Sequence, residues 1–185
     1  MSALPDLSGH TFGRGERNVN DRLAIETSTL FDAYLRAQQP GSFDMDLRRI
    51  TDDFAVSPQI EPEDVAGIAK AGYRTIICNR PDDEEWGQVG CDTIEATARE
   101  AGLEFLMLPI ASGVVTEEAA TAFREALATM PGPILAYCRS GTRCTMLWSI
   151  AQHGQMASEE IVQKAAEAGY DMAGLVAQLE AMQSR

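Results

Sequence analysis

Histidine is nearly absent from this 185-residue chain, which has only His10 and His153, and there are only four cysteines, Cys78, Cys91, Cys138 and Cys144. Two distant histidines exclude a histidine-rich metal centre, and the cysteines lack the paired spacing of a zinc ribbon. No metal site and no organic cofactor is implied. Four thiols are also too few for a disulfide scaffold of this length, so each is either a small core residue or a reactive thiol in a reducing compartment. No run approaches the roughly 18 apolar residues of a spanning helix. The opening MSALPDLSGHTFGRGE has neither the basic head nor the apolar core of a secretory signal. Basic residues are scarce as well: 15 Lys+Arg stand against 28 Asp+Glu, a formal net charge of −13. A surface that acidic repels nucleic-acid phosphates and anionic lipid, which excludes both as partners. The expectation is a soluble, cytoplasmic protein.

What is present is ordinary globular composition, 45% hydrophobic and 23% charged, enough for one core. Residues 47–57 read as two short strands joined by a turn at Thr51-Asp52-Asp53. A helix follows from Pro62, with Val65, Ile68 and Ala69 on one face and Gly72 as its stop. Arg74–Cys78 is a β-branched run of the kind a buried parallel strand shows. Residues 79–91 form a polar loop, and Asp92 is placed to cap the next helix, with Glu95 three residues on. Leu103–Leu108 reads as a second buried run. Thr116 can cap a third helix carrying Phe123, Leu127 and Met130. Pro131-Gly132-Pro133 ends it, and 133–138 is the third buried strand. A glycine-containing loop then enters a helix through Met146, Leu147 and Ile150, and Trp148 is expected to anchor it in the core. Two further helices, capped by Ser158 and Asp171, complete the chain.

Strand and helix alternate, so the fold class is α/β, a three-layer arrangement of a mostly parallel central sheet with helices on both faces. Residues 45–185 form this domain. Residues 1–44 read as an arm in which 21–38 has amphipathic spacing (Leu23, Leu30, Phe31, Tyr34, Leu35), and Met45 offers an alternative start.

The chemistry-bearing segment is Cys138-Arg139-Ser140-Gly141-Thr142-Arg143, lying between a strand and a helix. Ligand sites in such sheets gather at the carboxyl ends of strands, and Cys138 ends one. A short loop opening a helix turns successive N–H groups inward as an anion cradle. The helix dipole and Arg143 favour the thiolate, the nucleophilic form of cysteine. Gly141 permits a turn that a side chain would obstruct, and Arg143 can clasp an oxyanion with a fork of donors. The alternative is that Cys138 is a buried strand-end residue and the arginines are solvated.

Segments MDLRRITDDFAVSPQI, CNRPDDEE, LMLPI and GPILAYCRSGTRC, in order within 45–155, resemble the phosphatase-like domain of beta-lactamase hydrolase-like proteins. That family is similar in fold to dual-specificity and protein-tyrosine phosphatases, and its members carry phosphatase or sulfurtransferase labels. The resemblance implies that Cys138 is the nucleophile and Arg139, Ser140, Gly141, Thr142 and Arg143 the anion loop.

Phosphatases of that fold carry His-Cys-x5-Arg. Here Tyr137 stands in place of the histidine, Arg143 comes one position early, and Cys144 occupies the arginine's place. A Cys-x4-Arg loop resembles rhodanese. A phosphatase also needs an acid to protonate the leaving oxygen, and PIASGVV (109–115) has no carboxylate. These departures favour transfer of sulfane sulfur through a Cys138 persulfide, from a small anionic donor to a cyanide-like or thiol acceptor such as a protein thiol. Phosphomonoester hydrolysis through a phosphocysteine is the alternative, with Asp82 or Asp83 as acid. A non-catalytic module binding an anion or a phosphorylated or persulfidated partner is the third reading. Arg80 is expected at the pocket rim or in a salt bridge. Cys78, if it ends its strand beside Cys138, or Cys144 on the following helix, would be a redox partner. Trp86 is expected to cover the pocket mouth or brace its loop. Oligomeric state is not legible in the sequence.

Overall fold

Short β-branched and aromatic runs supply strands that have both faces to bury. The computed structural model describes residues 45–111 and 114–184, so the arm and its amphipathic stretch at 21–38 lie outside the described residues. Five strands, β1 (Arg48–Arg49), β2 (Phe54–Ser57), β3 (Thr75–Cys78), β4 (Glu104–Met107) and β5 (Ile134–Tyr137), form one sheet in the order β1-β2-β5-β3-β4. Only β1 runs antiparallel; the β2–β5, β5–β3 and β3–β4 pairs are parallel. All four residues of β2, β3 and β5 are buried, as expected for parallel strands covered on both sides.

Among the described residues six helices cover the faces: α1 (Pro62–Lys70), α2 (Cys91–Glu100), α3 (Glu117–Thr129), α4 (Thr142–Gln152), α5 (Ser158–Glu167) and α6 (Ala173–Gln183). Alternation along each strand divides the core in two. Ala55, Ile76, Cys78, Leu135 and Tyr137 pack with residues of α1 and α2. Phe54, Val56, Ile77, Ala136 and Cys138 pack with residues of α3 to α6. On that second face Trp148 is 1% exposed. Its ring stacks on Phe54 at 6.5 Å between centroids, and Phe54 meets Phe123 edge-on at 5.9 Å.

Several local expectations change. Leu103–Leu108 is not a buried run, because β4 is the sheet edge and leaves Glu104 and Met107 exposed. Gly90, not Asp92, is the N-cap of α2. The carboxylate of Asp82 reaches in to accept from Cys91 N at 2.8 Å, while Asp92 accepts from its neighbour Thr93 N. Ser158 is already helical and Ala157 is the cap. Met172 caps α6, although Asp171 accepts from Ala173 N at 3.0 Å. The Thr116 cap forms as expected, accepting from Ala119 N at 3.2 Å. Trp86 is fully exposed and covers nothing. None of the described helices is long and apolar enough to cross a membrane.

The ladder continues one residue past β5: Cys138 N donates to Ser57 O at 3.3 Å, and Asn79 N to Tyr137 O at 2.8 Å. Cys138 therefore sits just beyond the carboxyl end of the central strand, held from both sides. The aromatic group under α4 supports that position. Trp148→Ala is expected to lower the unfolding free energy by about 3–5 kcal/mol, read from a urea midpoint that falls with an unchanged slope.

Candidate active site

Four residues, Cys138 to Gly141, carry the chain from β5 into α4. Gly141 is the N-cap of α4 at φ 83° and ψ −17°, a left-handed conformation that suits glycine. A Cβ there would also collide with the Tyr170 hydroxyl. This turn aims the loop amides at the sulfur, and Gly141 N donates to Cys138 Sγ at 3.2 Å. Outside the loop, the Tyr170 hydroxyl donates to Ser140 O at 3.0 Å. Ser140 Oγ and Thr142 Oγ1 lie 3.1 Å apart at the exposed mouth.

Cys138 has 0% exposure, and burial alone would hold it neutral. Hydrogen bonding outweighs that: the Cys144 thiol first, then the amides of Ser140, Cys144 and Arg143, bring its pKa down to about 5. Cys144 is fully buried, and burial together with the neighbouring negative sulfur pushes its own pKa well up. It therefore remains a protonated donor. A thiolate and a thiol share the floor of the site.

Arg143 comes in from the first turn of α4. Its Nη1 donates to Glu84 Oε1 (2.7 Å) and to Ile110 O (2.8 Å), and its Nη2 donates to Glu84 Oε2 (2.8 Å). Of the five guanidinium donors, this leaves Nε–H and one Nη2–H, neighbours on the other edge. Arg143 and Cys138 each favour the other's charged form. Glu84 is itself held below the usual carboxylate range, mainly by the bond from Arg143 and further by Arg80.

Arg80 is buried beneath this pair. Its Nε donates to Glu84 (3.1 Å), Nη1 to Gln59 Oε1 (2.9 Å) and Nη2 to Glu85 (3.1 Å). It thus supports Glu84, in the salt bridge that is one of the two expectations for it. The two carboxylates expected as acids have other settings. Asp82 is committed to the start of α2, and Asp83 occupies an exposed turn at φ 62°. Glu84 is the carboxylate that reaches the site, and spacing alone did not separate it from the three acids around it. Arg139, its side chain 67% exposed, lies 3.7 Å from Glu85 at the mouth.

The two expected redox partners part ways. Cys144 faces Cys138, whereas Cys78 lies on the opposite face of the sheet, because Cys78 is in register with Tyr137. Cys78 donates to Arg80 O at 3.3 Å and sits against Cys91 and Tyr137. Tyr137, the residue in the histidine position, likewise points away from the loop. Among the described residues no group of three or more His, Cys, Asp or Glu is placed to hold a metal ion.

Residues 46–155 match the family described as "Beta-lactamase hydrolase-like protein, phosphatase-like domain". A beta-lactamase hydrolase-like protein from Xylella fastidiosa is 37% identical over 133 residues, which are 71% of this chain and 31% of that protein. The chain spans about a third of the length of the curated relatives it matches. Among solved structures, a candidate phosphatase from Neisseria meningitidis superposes with a TM-score of 0.66 at 33% identity, over 74% of this chain and 97% of the other. TpbA of P. aeruginosa, solved with pTyr, is 15% identical with a TM-score of 0.53 over 73% and 82% of the two chains, a likeness of fold.

Two expectations follow from the geometry. Iodoacetamide labelling of Cys138 should be flat with pH above the value of about 5 and fall about tenfold per unit below it, as the thiolate is protonated. Cys144→Ala should move that inflection upward and Cys144→Ser should keep it low. Separately, Glu84→Gln should weaken protection of Cys138 by inorganic phosphate about tenfold, the loss of a charge-assisted pair that fixes the Arg143 edge. Mapping of labelled peptides by mass reports both.

Proposed function

The chain belongs to the family of beta-lactamase hydrolase-like proteins, as their phosphatase-like domain, and on that premise we propose that it hydrolyses phosphomonoesters through a phosphocysteine on Cys138. It is an enzyme of the cysteine-nucleophile, phosphatase-like type. The observation that carries the proposal is the divided guanidinium of Arg143. One edge is taken up by Glu84 and Ile110 O. The other remains for two oxygens of a tetrahedral anion, beside the amides that also line Cys138.

In the first step the Cys138 thiolate attacks phosphorus, the S–P bond forms and the ester P–O bond breaks, with the electron pair leaving on the alcohol oxygen. Water then attacks phosphorus, phosphate departs, and the electron pair returns to sulfur. The leaving oxygen needs a proton if it is strongly basic. Glu84 is held ionised by two arginines, Asp82 accepts from Cys91 N at the start of α2, Glu85 pairs with Arg80, and Asp83 sits in an exposed turn. Substrates with weakly basic leaving groups, such as aryl phosphates, therefore fit best.

The same commitment of the carboxylates favours a second reading, sulfane sulfur transfer. There the thiolate attacks the outer sulfur of a thiosulfate-like donor and sulfite leaves already weakly basic. The persulfide would then pass to a thiol acceptor.

Brief exposure to an aryl phosphate should leave a phosphoryl group on wild type and none on Cys138→Ser, read by intact mass. Across a series of aryl phosphates, kcat/KM should fall several-fold for each unit rise in the leaving phenol's pKa. A nearly flat series would reveal a working acid. A thiosulfate sulfur adduct without any phosphoryl adduct would transfer the assignment to sulfur chemistry.

A further inference from the structure

Ser140 C=O and Gly141 N–H belong to one peptide group, and each end has its own partner. The N–H donates to Cys138 Sγ at 3.2 Å, and the C=O accepts from the Tyr170 hydroxyl at 3.0 Å. In a trans peptide these two bonds point in opposite directions, so anchoring the oxygen outside the loop aims the N–H into it. The residue after this peptide is Gly141 at φ 83°, and glycine offers little steric resistance to turning the plane over. Turned over, a carbonyl oxygen would face the thiolate and any bound oxyanion.

We propose that Tyr170 is a positioning residue that latches the 140–141 peptide in the orientation that makes the anion cradle. Tyr170 lies in the connection between α5 and α6, outside the family match at 46–155. Its own placement is well determined: its N–H donates to Ala165 O at 2.8 Å, and the Arg48 guanidinium covers its ring at 5.2 Å from the centroid. The residue is 6% exposed. Burial pushes its pKa up to about 12, with Arg48 opposing, so the hydroxyl stays a donor across the range in which Cys138 becomes a thiolate. A bond to the carbonyl also polarises the peptide and strengthens its N–H as a donor. The C-terminal helices thereby serve the site as well as the core. The latch rests on Cys138 being the reactive thiolate and not on which substrate it attacks.

Tyr170→Phe in the full chain keeps the ring and removes the bond. The inflection of Cys138 labelling by iodoacetamide should rise by about one pH unit. Protection of Cys138 by inorganic phosphate should weaken about tenfold. Site-specific 3-fluorotyrosine at position 170, a more acidic phenol in the same shape, should move the inflection the other way. A folded Tyr170→Phe protein with wild-type inflection and wild-type phosphate protection would overturn the latch, even if its thermal midpoint drops. Labelling reports on the thiolate whether or not any ester turns over. A shifted inflection in a protein without phosphatase turnover would therefore support the latch and defeat only the hydrolase reading. Turnover in wild type with an unmoved inflection in Tyr170→Phe would do the reverse.

Discussion

A negative sulfur buried at the carboxyl end of the central strand needs donors around it, and much of the local structure answers that need. Removing a charge from water costs several kcal/mol unless hydrogen bonds replace the lost hydration. Cys138 is fully buried, so the amides of the loop, the Cys144 thiol and the Arg143 guanidinium together stand in for solvent. Helix α4 contributes because its first amides have no partner within the helix and the positive end of its dipole faces the loop. Those amides converge with Gly141 in a left-handed conformation, and its lack of a Cβ leaves room for the Tyr170 hydroxyl. The same donors would stabilise an oxyanion bound above the sulfur, so one arrangement prepares both nucleophile and substrate.

Around this centre, charges alternate: Arg80 holds Glu84, and Glu84 holds Arg143. Buried ion pairs contribute little net stability once desolvation is counted. Their value here is geometric. A guanidinium on a flexible stem can present either edge, and the bidentate carboxylate dictates which one faces the sulfur. Loop 79–90 is therefore chiefly a support for the arginine. Three of its four acids, Asp82, Glu84 and Glu85, are used in structure and Asp83 sits in an exposed turn, and this shapes the chemistry: the site is rich in groups that bind anions and activate sulfur, and poor in groups that can release a proton.

Sheet parity explains the division of the thiols. Side chains alternate across a strand, so neighbours in register share a face. Cys78 is opposite Tyr137 and shares its face, whereas Cys138, one residue later, turns to the other. The chemistry of Cys138 is thus shielded from Cys78 by the sheet itself, and its thiol neighbour is Cys144, brought round by the first turn of α4.

The strand runs around Ile76 and Leu135, the helix starting at Pro62 and the Thr116 cap were all legible in the sequence, because hydrophobic period and capping act over a few residues. So was the placing of the Cys138 loop at the end of a parallel strand, which follows from the order of elements alone. Other features depended on contacts between distant segments. Asp82 replaced Asp92 at the start of α2, β4 became an edge, and Glu84 was selected from four consecutive acids by the turn at Asp83 and by an arginine 59 residues away. Tyr170 reaches the loop across 30 residues. By itself, then, the sequence determined the α/β order, the core strands and the loop that can hold a thiolate, since each is written in local pattern. Only the tertiary structure decided which carboxylate orients Arg143, which thiol faces Cys138 and which hydroxyl holds the cradle. Those choices rest on directional hydrogen bonds a few ångströms long, which exist only once the sheet has brought remote side chains together.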